Sequence, residues 1–250
     1  MFERILFTDL DNTMIYSYKH DIGPHKRCVE IYQDREVSFI TEETFRLLMQ
    51  VKKQMQIVPV STRSIAQYER IDLGIGNINY ALVCNGGVLL TNGERDDAWY
   101  QESKLLIRES IPELQKANNL LEKYSRRYFE LRFIEDLFLF TKCKEPESVV
   151  KELSASLDGT LVNVFHNNEK VYVLPVRLSK GESVERFRGR FPVKEAIVAG
   201  DSEFDRSMLE KADLALAPKG FTDGFHPGKK IMESDAGILF SEFVLNQCLS

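Results

Sequence analysis

Short apolar runs that each end in a polar cluster are the feature of this sequence that most restricts its fold. Four of them are Arg4–Thr8 before Asp9-Leu-Asp-Asn-Thr13, Met55–Val60 before Ser61-Thr-Arg-Ser64, Tyr80–Cys84 before Asn85-Gly-Gly87, and Glu195–Ala199 before Gly200-Asp-Ser-Glu-Phe-Asp205. Runs of this length and composition are typical of strands that are buried on both faces of a sheet. Because helical segments follow several of them, the order predicts an α/β fold with an open parallel sheet. Ligands bind beyond the carboxyl ends of such strands, so the polar clusters predict a functional site.

Other patterns complete the predicted core. Leu214–Ala217 and Gly237–Phe240 are predicted as further strands, and the β-rich halves of Lys26–Ile40 predict a hairpin. Thr41 is predicted to cap the helix that follows this hairpin, since a Thr hydroxyl accepts from the first free N–H groups. A short helix is predicted to end near Ile71.

The middle of the chain does not alternate simply between strand and helix. Ser103–Arg127 is helical by pattern, with Pro112 starting a second helix. The elements predicted after it are strands at Tyr128–Ile134 and Leu137–Cys143, a helix at Glu147–Leu157, and strands at Thr160–His166 and Lys170–Leu174. This mixture predicts a separate α+β domain at residues 89–175, inserted into a discontinuous core at residues 1–88 and 176–250.

Composition excludes several classes of function. The 33 Lys and Arg against 38 Asp and Glu leave a net charge of −5, and no basic block offers a nucleic-acid surface. No apolar run approaches the roughly 18 residues of a membrane span. The first residues do not resemble a signal peptide. The four cysteines are far apart without a CxxC pair, which argues against a zinc site and favours reduced thiols in the cytoplasm.

Two acidic pairs follow two of the strands and predict a metal site. Asp9 and Asp11 repel each other if a turn brings them together, unless a cation neutralises them. Asp201 and Asp205 follow a later strand and would complete an oxygen-rich site suited to Mg²⁺. The alternative interpretation is that these are ordinary turn and helix-capping residues.

These motifs resemble those of the haloacid dehalogenase superfamily. Asp9-Leu-Asp-Asn-Thr13 resembles its first motif, Ser61 its second, Lys180 its third and Gly200-Asp-Ser-Glu-Phe-Asp205 its fourth, in the family's order. The resemblance implies a doubly wound, Rossmann-like parallel-sheet core. The position of the insert, after Asn85-Gly86, resembles the type-two cap of sugar-phosphate phosphatases, sucrose-phosphate phosphatases and phosphomannomutases.

The resemblance implies a role for each acidic residue. Asp9 would be the nucleophile that forms an aspartyl-phosphate, and Asp11 would be the general acid and base. Mg²⁺ would be held by the Asp9 carboxylate, the Asp11 main-chain carbonyl and Asp201. Asp205 would be an additional ligand, either directly or through water.

The resemblance also implies a set of phosphate-binding residues. Ser61 would hydrogen-bond a transferring phosphoryl oxygen, and Lys180 would offset its charge. Thr62 stands where many relatives have Gly, so either Ser61 or Thr62 can supply the hydroxyl of the second motif. Two alternatives remain: Ser61 simply caps the next helix, or Lys180 is a solvated lysine of a first helical turn.

The expected function is that of a Mg²⁺-dependent phosphomonoester hydrolase, a phosphatase acting on a small phosphorylated metabolite such as a sugar or polyol phosphate. The first alternative is a phosphotransferase of the phosphomutase kind, which shares the aspartyl-phosphate. The second is a non-catalytic protein that binds a phosphorylated metabolite on the same scaffold.

Overall fold

The computed structural model describes residues 2–221, 230–235 and 237–250. The strands, in chain order, are β1 (Phe2–Thr8), β2 (Tyr16–Ser17), β3 (Lys26–Tyr32), β4 (Arg35–Thr41), β5 (Gln56–Pro59), β6 (Tyr80–Val83), β7 (Val88–Thr91), β8 (Glu94–Arg95), β9 (Arg132–Ile134), β10 (Phe138–Lys142), β11 (Val162–Asn167), β12 (Lys170–Pro175), β13 (Val193–Ala199), β14 (Leu214–Ala217) and β15 (Lys230–Glu233). The helices are α1 (Glu42–Gln54), α2 (Ile65–Tyr68), α3 (Asp97–Leu106), α4 (Ile111–Glu122), α5 (Pro146–Ser156), α6 (Lys180–Arg190), α7 (Arg206–Leu209) and α8 (Phe240–Leu249).

Residue contacts divide the chain into two compact units. Met1–Asp96 and Lys180–Ser250 form the first, called the core unit below, and Asp97–Ser179 form the second, the inserted unit. The division into a catalytic core and a cap at residues 88/89 and 175/176 stays a prediction.

A parallel sheet ordered β15-β14-β13-β1-β5 forms the centre of the core unit, as the apolar runs predict. Side chains of β1 alternate between its two faces. Leu6 joins the apolar cluster formed with α1 and α8, while the ring of Phe7 lies edge-to-face against Phe187 of α6. Helices therefore cover both faces, which confirms the doubly wound arrangement and explains why every residue at the end of β1 is buried.

The predicted strands at β1, β5, β13 and β14 are confirmed, and two details differ. The strand β6 pairs antiparallel with β7, because the turn at Asn85-Gly-Gly87 reverses the chain; it meets the parallel sheet through one bridge, Val60 to Leu82. The strand predicted at Gly237–Phe240 is wrong. The chain enters α8 at Phe240, and the outer strand is β15. A short apolar run is compatible both with a strand and with the start of an apolar helix. Here the run leads into α8, most of whose apolar residues are buried.

The hairpin β3–β4 and the cap of α1 are confirmed. Thr41 Oγ1 accepts a hydrogen bond from the Thr44 N–H at 2.9 Å, as an N-cap does. The strand β3 carries a β-bulge, where its register with β4 shifts around Glu30. At the bulge the in–out alternation fails, so Val29 and Glu30 are both buried.

The inserted unit is an α+β layer, as predicted. Its antiparallel sheet is ordered β11-β12-β10-β9, and α4 and α5 share an apolar cluster with one of its faces. Pro112 lies in the first turn of α4, where its missing N–H costs nothing. The first helix begins at Asp97, earlier than predicted, and β9 begins only at Arg132.

Two further observations bear on the setting of the chain. Within the described residues, no helix combines the length and the apolar composition that a membrane crossing requires. All four cysteines are free thiols, as predicted. The cytoplasmic location stays a prediction.

Candidate active site

The carboxyl ends of β1, β5 and β13 lie side by side and bring three polar clusters to one edge of the sheet. Thr8 is in register with Pro59 on one side and with Ala199 on the other. The Asp9 N–H donates to the carbonyl of Ala199 at 2.9 Å, and the Val60 N–H donates to that of Thr8 at 2.8 Å. The ladder thus continues one residue past β1 and holds the backbone of Asp9 rigidly.

The two carboxylates of the first motif lie in different surroundings. Asp9 is buried, with 6% of its surface exposed, whereas 52% of the Asp11 side chain is exposed. After Asp9 the chain turns, with the N–H groups of Met14 and Ile15 both donating to the Leu10 carbonyl. Asp11 lies at the start of this turn, in a bridge with Ile15.

Lys180 joins two of the predicted motifs. Its Nζ donates to Asp9 Oδ1 at 2.5 Å and to Asp205 Oδ1 at 2.6 Å. Only 2% of the Lys180 surface is exposed. This burial is inconsistent with the alternative in which Lys180 is a solvated lysine of the first turn of α6.

The loop after β13 presents Asp201 and Asp205. Asp205 Oδ2 accepts from the N–H groups of Asp201 and Ser202, at 3.1 and 2.9 Å, and from Ser202 Oγ at 2.7 Å. Asp201 Oδ1 accepts from Thr13 Oγ1 at 3.1 Å, which ties this loop to the turn after β1. Both oxygens of Asp205 are therefore engaged by protein groups.

Two glycines allow these close approaches. A Cβ at Gly200 would lie 2.4 Å from the Cβ of Asp205, and a Cβ at Gly181 would lie 2.1 Å from the carbonyl oxygen of Ser207. Real Cβ atoms do not approach other atoms so closely. Gly200 thus lets Asp205 fold back against the strand end, and Gly181 lets the start of α6, with Lys180, pack against α7.

The cluster carries more negative than positive charge. Asp9, Asp201 and Asp205 each offer a carboxylate oxygen, and these three oxygens lie within 4.8 Å of one another. Burial raises the pKa of the Asp9 carboxyl well above its ordinary value, against the opposing effect of the Lys180 ammonium. Burial, followed by the Asp205 charge, raises the pKa of Asp201 to about 6. Three carboxylates facing one ammonium favour the binding of a further cation.

Lys180 itself stays charged. Burial disfavours its ammonium, but the carboxylates of Asp205 and Asp9 outweigh that effect and raise the pKa of Lys180 above its ordinary value. The lysine is therefore available to neutralise a bound anion.

Ser61 and Thr62 follow β5 directly. Ser61 is 1% exposed, its N–H donates to the Leu82 carbonyl, and its Oγ accepts from the Arg63 N–H at 3.2 Å. Ser64 caps α2 through a reciprocal pair of hydrogen bonds with Gln67. The alternative in which Ser61 is merely the helix cap is therefore wrong. Thr62 is half-buried beside it.

Arg63 links Asp11 to Glu30 through salt bridges beside the cluster, and the sequence pattern did not predict this link. Arg63 Nε and Nη2 donate to the two oxygens of Asp11, each at 2.8 Å. Arg63 Nη1 and Nη2 also donate to the two oxygens of Glu30, at 2.9 and 3.0 Å. The sequence feature that could have indicated this link is Glu30 itself, an acidic residue between two apolar residues of a predicted strand. The β-bulge that turns its side chain inward cannot be recognised from the sequence pattern.

The charges of this chain stabilise one another. Burial alone would raise the pKa of Glu30, but hydrogen bonds from Arg63 and Ser38 and the Arg63 charge lower it below its ordinary value. The pKa of Arg63 is raised, since burial is outweighed by its bonds to Asp11 and Glu30.

Comparison with known proteins identifies the family of this arrangement. A family model described as haloacid dehalogenase-like hydrolase matches residues 89–223, slightly more than half of the chain. No curated protein sequence matches the chain significantly.

Solved structures share the fold over nearly the whole chain. The sucrose-phosphatase from Synechocystis sp., solved with sucrose and phosphate, has a TM-score of 0.65 and 14% identity, over 97% of this chain and 96% of that one. A phosphatase of the haloalkanoate enzyme superfamily from Bacteroides thetaiotaomicron has a TM-score of 0.56 and 13% identity, over 98% and 95%. The trehalose-6-phosphate phosphatase from Aspergillus fumigatus has a TM-score of 0.52 and 14% identity, over 98% and 93%.

Proposed function

Because the chain belongs to the haloacid dehalogenase-like hydrolases, we propose that it hydrolyses a phosphate monoester at the edge of the parallel sheet. The observation that carries the proposal is the position of the Lys180 Nζ, between the carboxylates of Asp9 and Asp205. Three distant segments of the chain meet there. Such a set provides a buried nucleophile, a fixed cation for the phosphoryl group and acidic residues for a metal.

Asp9 is proposed as the nucleophile. One of its oxygens accepts from Lys180, and the other attacks phosphorus as the bond to the leaving alcohol breaks. Water then attacks the aspartyl-phosphate, which releases inorganic phosphate and restores the carboxylate. The rigid backbone of Asp9 favours this role, because attack requires an aligned oxygen.

Asp11 is proposed as the general acid and base. It donates a proton to the leaving oxygen in the first step and takes one from the attacking water in the second. Its side chain is the more exposed of the pair, which suits a group that exchanges a proton in each half-reaction.

The phosphoryl group is proposed to lie against Ser61, Thr62 and Lys180. The buried Ser61 has its backbone fixed on both sides, by the Leu82 carbonyl and by the Asn85 N–H. A hydroxyl held in this way can donate to a phosphoryl oxygen without first being ordered. Whether Thr62 shares that role stays a prediction.

The donor set fits Mg²⁺, which prefers oxygen ligands. Asp9 and Asp201 would hold the ion, together with the main-chain carbonyl of Asp11. Asp205 is proposed to act through water or to orient its neighbours, because both of its oxygens already accept hydrogen bonds. When bound, the ion would neutralise charge on the carboxylates and on the phosphoryl group.

The proposed substrate is a small phosphorylated metabolite, with sugar and polyol phosphates first. The support is the fold shared with sucrose-phosphatase and trehalose-6-phosphate phosphatase. A panel of phosphorylated metabolites, assayed for phosphate release with Mg²⁺ and with EDTA, tests this proposal. A requirement for a bisphosphorylated sugar would instead indicate a phosphotransferase.

The decisive variant is Asp9→Asn, which keeps the size of the side chain and removes the nucleophilic carboxylate. We expect phosphate release to be lost. The matched control is Asp213→Asn, since Asp213 is also a hydrogen-bonded aspartate of the core unit but pairs with Arg188 and the Ala196 N–H. Unchanged turnover in Asp9→Asn would reject the mechanism.

A further inference from the structure

Glu30 is a buried carboxylate outside the four motifs. Only 3% of its surface is exposed, and it accepts from Arg63, Arg70 and Ser38. A buried charge is costly unless it is paired and hydrogen-bonded, and Glu30 meets both conditions. The β-bulge of β3 turns its side chain inward, and a backbone bridge to Ile71 holds the strand in place.

The Arg63 guanidinium lies between Glu30 and Asp11 and has no N–H group to spare. A guanidinium carries five N–H donors. Two of the donors go to Asp11, two go to Glu30, and Nη1 also donates to the Gln67 carbonyl at 3.3 Å. Arg63 therefore has to give up a protein partner before it can bind a phosphate, and its position suits a group that orients carboxylates.

We propose that Glu30 is a positioning residue for Asp11 and acts through Arg63. This inference rests on the proposed function, in which Asp11 transfers the proton. Asp11 lies on a turn beside Asn12, which has a φ of 61°, and half of its side chain is exposed. Asp11 lies outside the regular strands and helices, and the bidentate contact with Arg63 engages both of its carboxylate oxygens, which favours one direction of the side chain.

Glu30 supplies the fixed end of this contact. A free arginine side chain loses considerable rotamer entropy when it is ordered. Arg63 is ordered in advance by two hydrogen bonds to a carboxylate that Ser38 and Arg70 hold from other sides. The hairpin β3–β4 thereby helps to set the direction of the Asp11 carboxylate, the group proposed to exchange the proton.

The test compares two substrates that differ in their need for a proton. A sugar phosphate releases an alkoxide unless a proton is delivered, whereas p-nitrophenyl phosphate releases a stable phenolate. The kcat/KM of each substrate reports only the steps up to release of the leaving group. For Glu30→Gln we expect kcat/KM for the best sugar or polyol phosphate of the panel to fall at least about tenfold. For p-nitrophenyl phosphate it should fall less than about threefold.

The matched control is Glu42→Gln. Glu42 forms a bidentate pair with Arg27 of the same hairpin, but this pair is exposed and separate from the hydrogen bonds that Arg63 makes to Glu30 and Asp11. We expect no selective change between the two substrates. A fall of equal size for both substrates in Glu30→Gln, or no fall at all, would overturn the inference.

A second experiment tests whether Glu30 acts through Asp11. In an Asp11→Asn background, Glu30→Gln should change the remaining kcat/KM for the sugar phosphate by less than about twofold, because effects along one chain are not additive. A full additional loss would mean that Glu30 acts in another way. If Glu30→Gln does not fold, Arg63→Lys carries the same test, since a lysine cannot grip two carboxylates in a fork.

The inference and the proposed function fail in different ways. Full turnover in Asp9→Asn would reject the proposed function. Loss of turnover in Asp9→Asn, combined with an unselective effect of Glu30→Gln, would reject only the role of Glu30.

Discussion

The Nζ of Lys180 lies 2.5 Å from Asp9 Oδ1, although 171 residues separate the two in sequence. The same ammonium reaches Asp205, so one buried cation holds two buried carboxylates together. In a low-dielectric surrounding, none of the three charges is tolerated without the others.

Removing the ammonium should destabilise the metal-free protein. In Lys180→Met, Asp9 and Asp205 stay buried without a counter-charge, and we expect a loss of about 3–5 kcal/mol in the free energy of unfolding at neutral pH. Urea unfolding in EDTA measures this loss. The control is Lys211→Met, which breaks a more exposed pair with Glu185 and should cost at most about 1 kcal/mol. Equal effects of the two variants would contradict this account.

A methyl group at Gly200 should disturb the site, because its Cβ would overlap the Asp205 side chain. For Gly200→Ala we expect a loss of about 1–3 kcal/mol in stability and a weaker response to Mg²⁺. The comparison is Gly189→Ala in α6, where a Cβ meets nothing within 4 Å. That change should stabilise the protein by up to about 1 kcal/mol, because alanine favours helix. Thermal unfolding of both variants, and Mg²⁺ titration of activity, provide the check.

Asp201 should make the metal-free protein less stable as pH rises. Its pKa is raised to about 6, so the folded state holds a proton that the unfolded state has already released. The destabilisation by this group therefore grows between about pH 4 and pH 6 and is complete above that range. In EDTA, Asp201→Asn should be more stable than the parent by about 3 kcal/mol at pH 8 and should differ little at pH 4. Equal stabilisation of Asp201→Asn at both pH values would contradict this dependence of stability on the Asp201 charge. The control is Asp21→Asn, at an exposed turn.

The effect of Glu30 on stability should change with pH in the opposite direction to that of Asp201. Its pKa is lowered, so its contribution to stability is fully present above the ordinary value near 4.5 and is lost as pH falls through the lower folded-state value. For Glu30→Gln we expect a loss of about 3 kcal/mol at pH 7 that shrinks as the pH falls below 4. Urea unfolding across that range measures the difference, and a loss that is independent of pH would speak against the assigned charge.

Much of the core follows from local pattern. The buried strand β1 and the cap at Thr41 both depend on neighbouring residues alone, which is why periodicity and capping chemistry predicted them. The prediction of a strand at Gly237–Phe240 is wrong, because it too depended on local pattern alone. An apolar run of four residues is too short to distinguish a strand from the start of a helix.

The sequence by itself determined which chemical groups are present and which of them follow strands. Asp9, Ser61 and Asp201 were predicted to lie at one edge of a parallel sheet, because parallel strands end on the same side. The motifs also determined the family, which the family model confirms.

Only the tertiary structure decided how these groups are paired. Glu30 is turned inward by a β-bulge, Arg63 divides its five donors between two carboxylates and the Gln67 carbonyl, and Lys180 is enclosed rather than solvated. The physical reason is that pairing depends on burial and on distances of a few ångströms between remote segments. Such distances are set by packing of the whole core unit and leave no mark on the local sequence pattern.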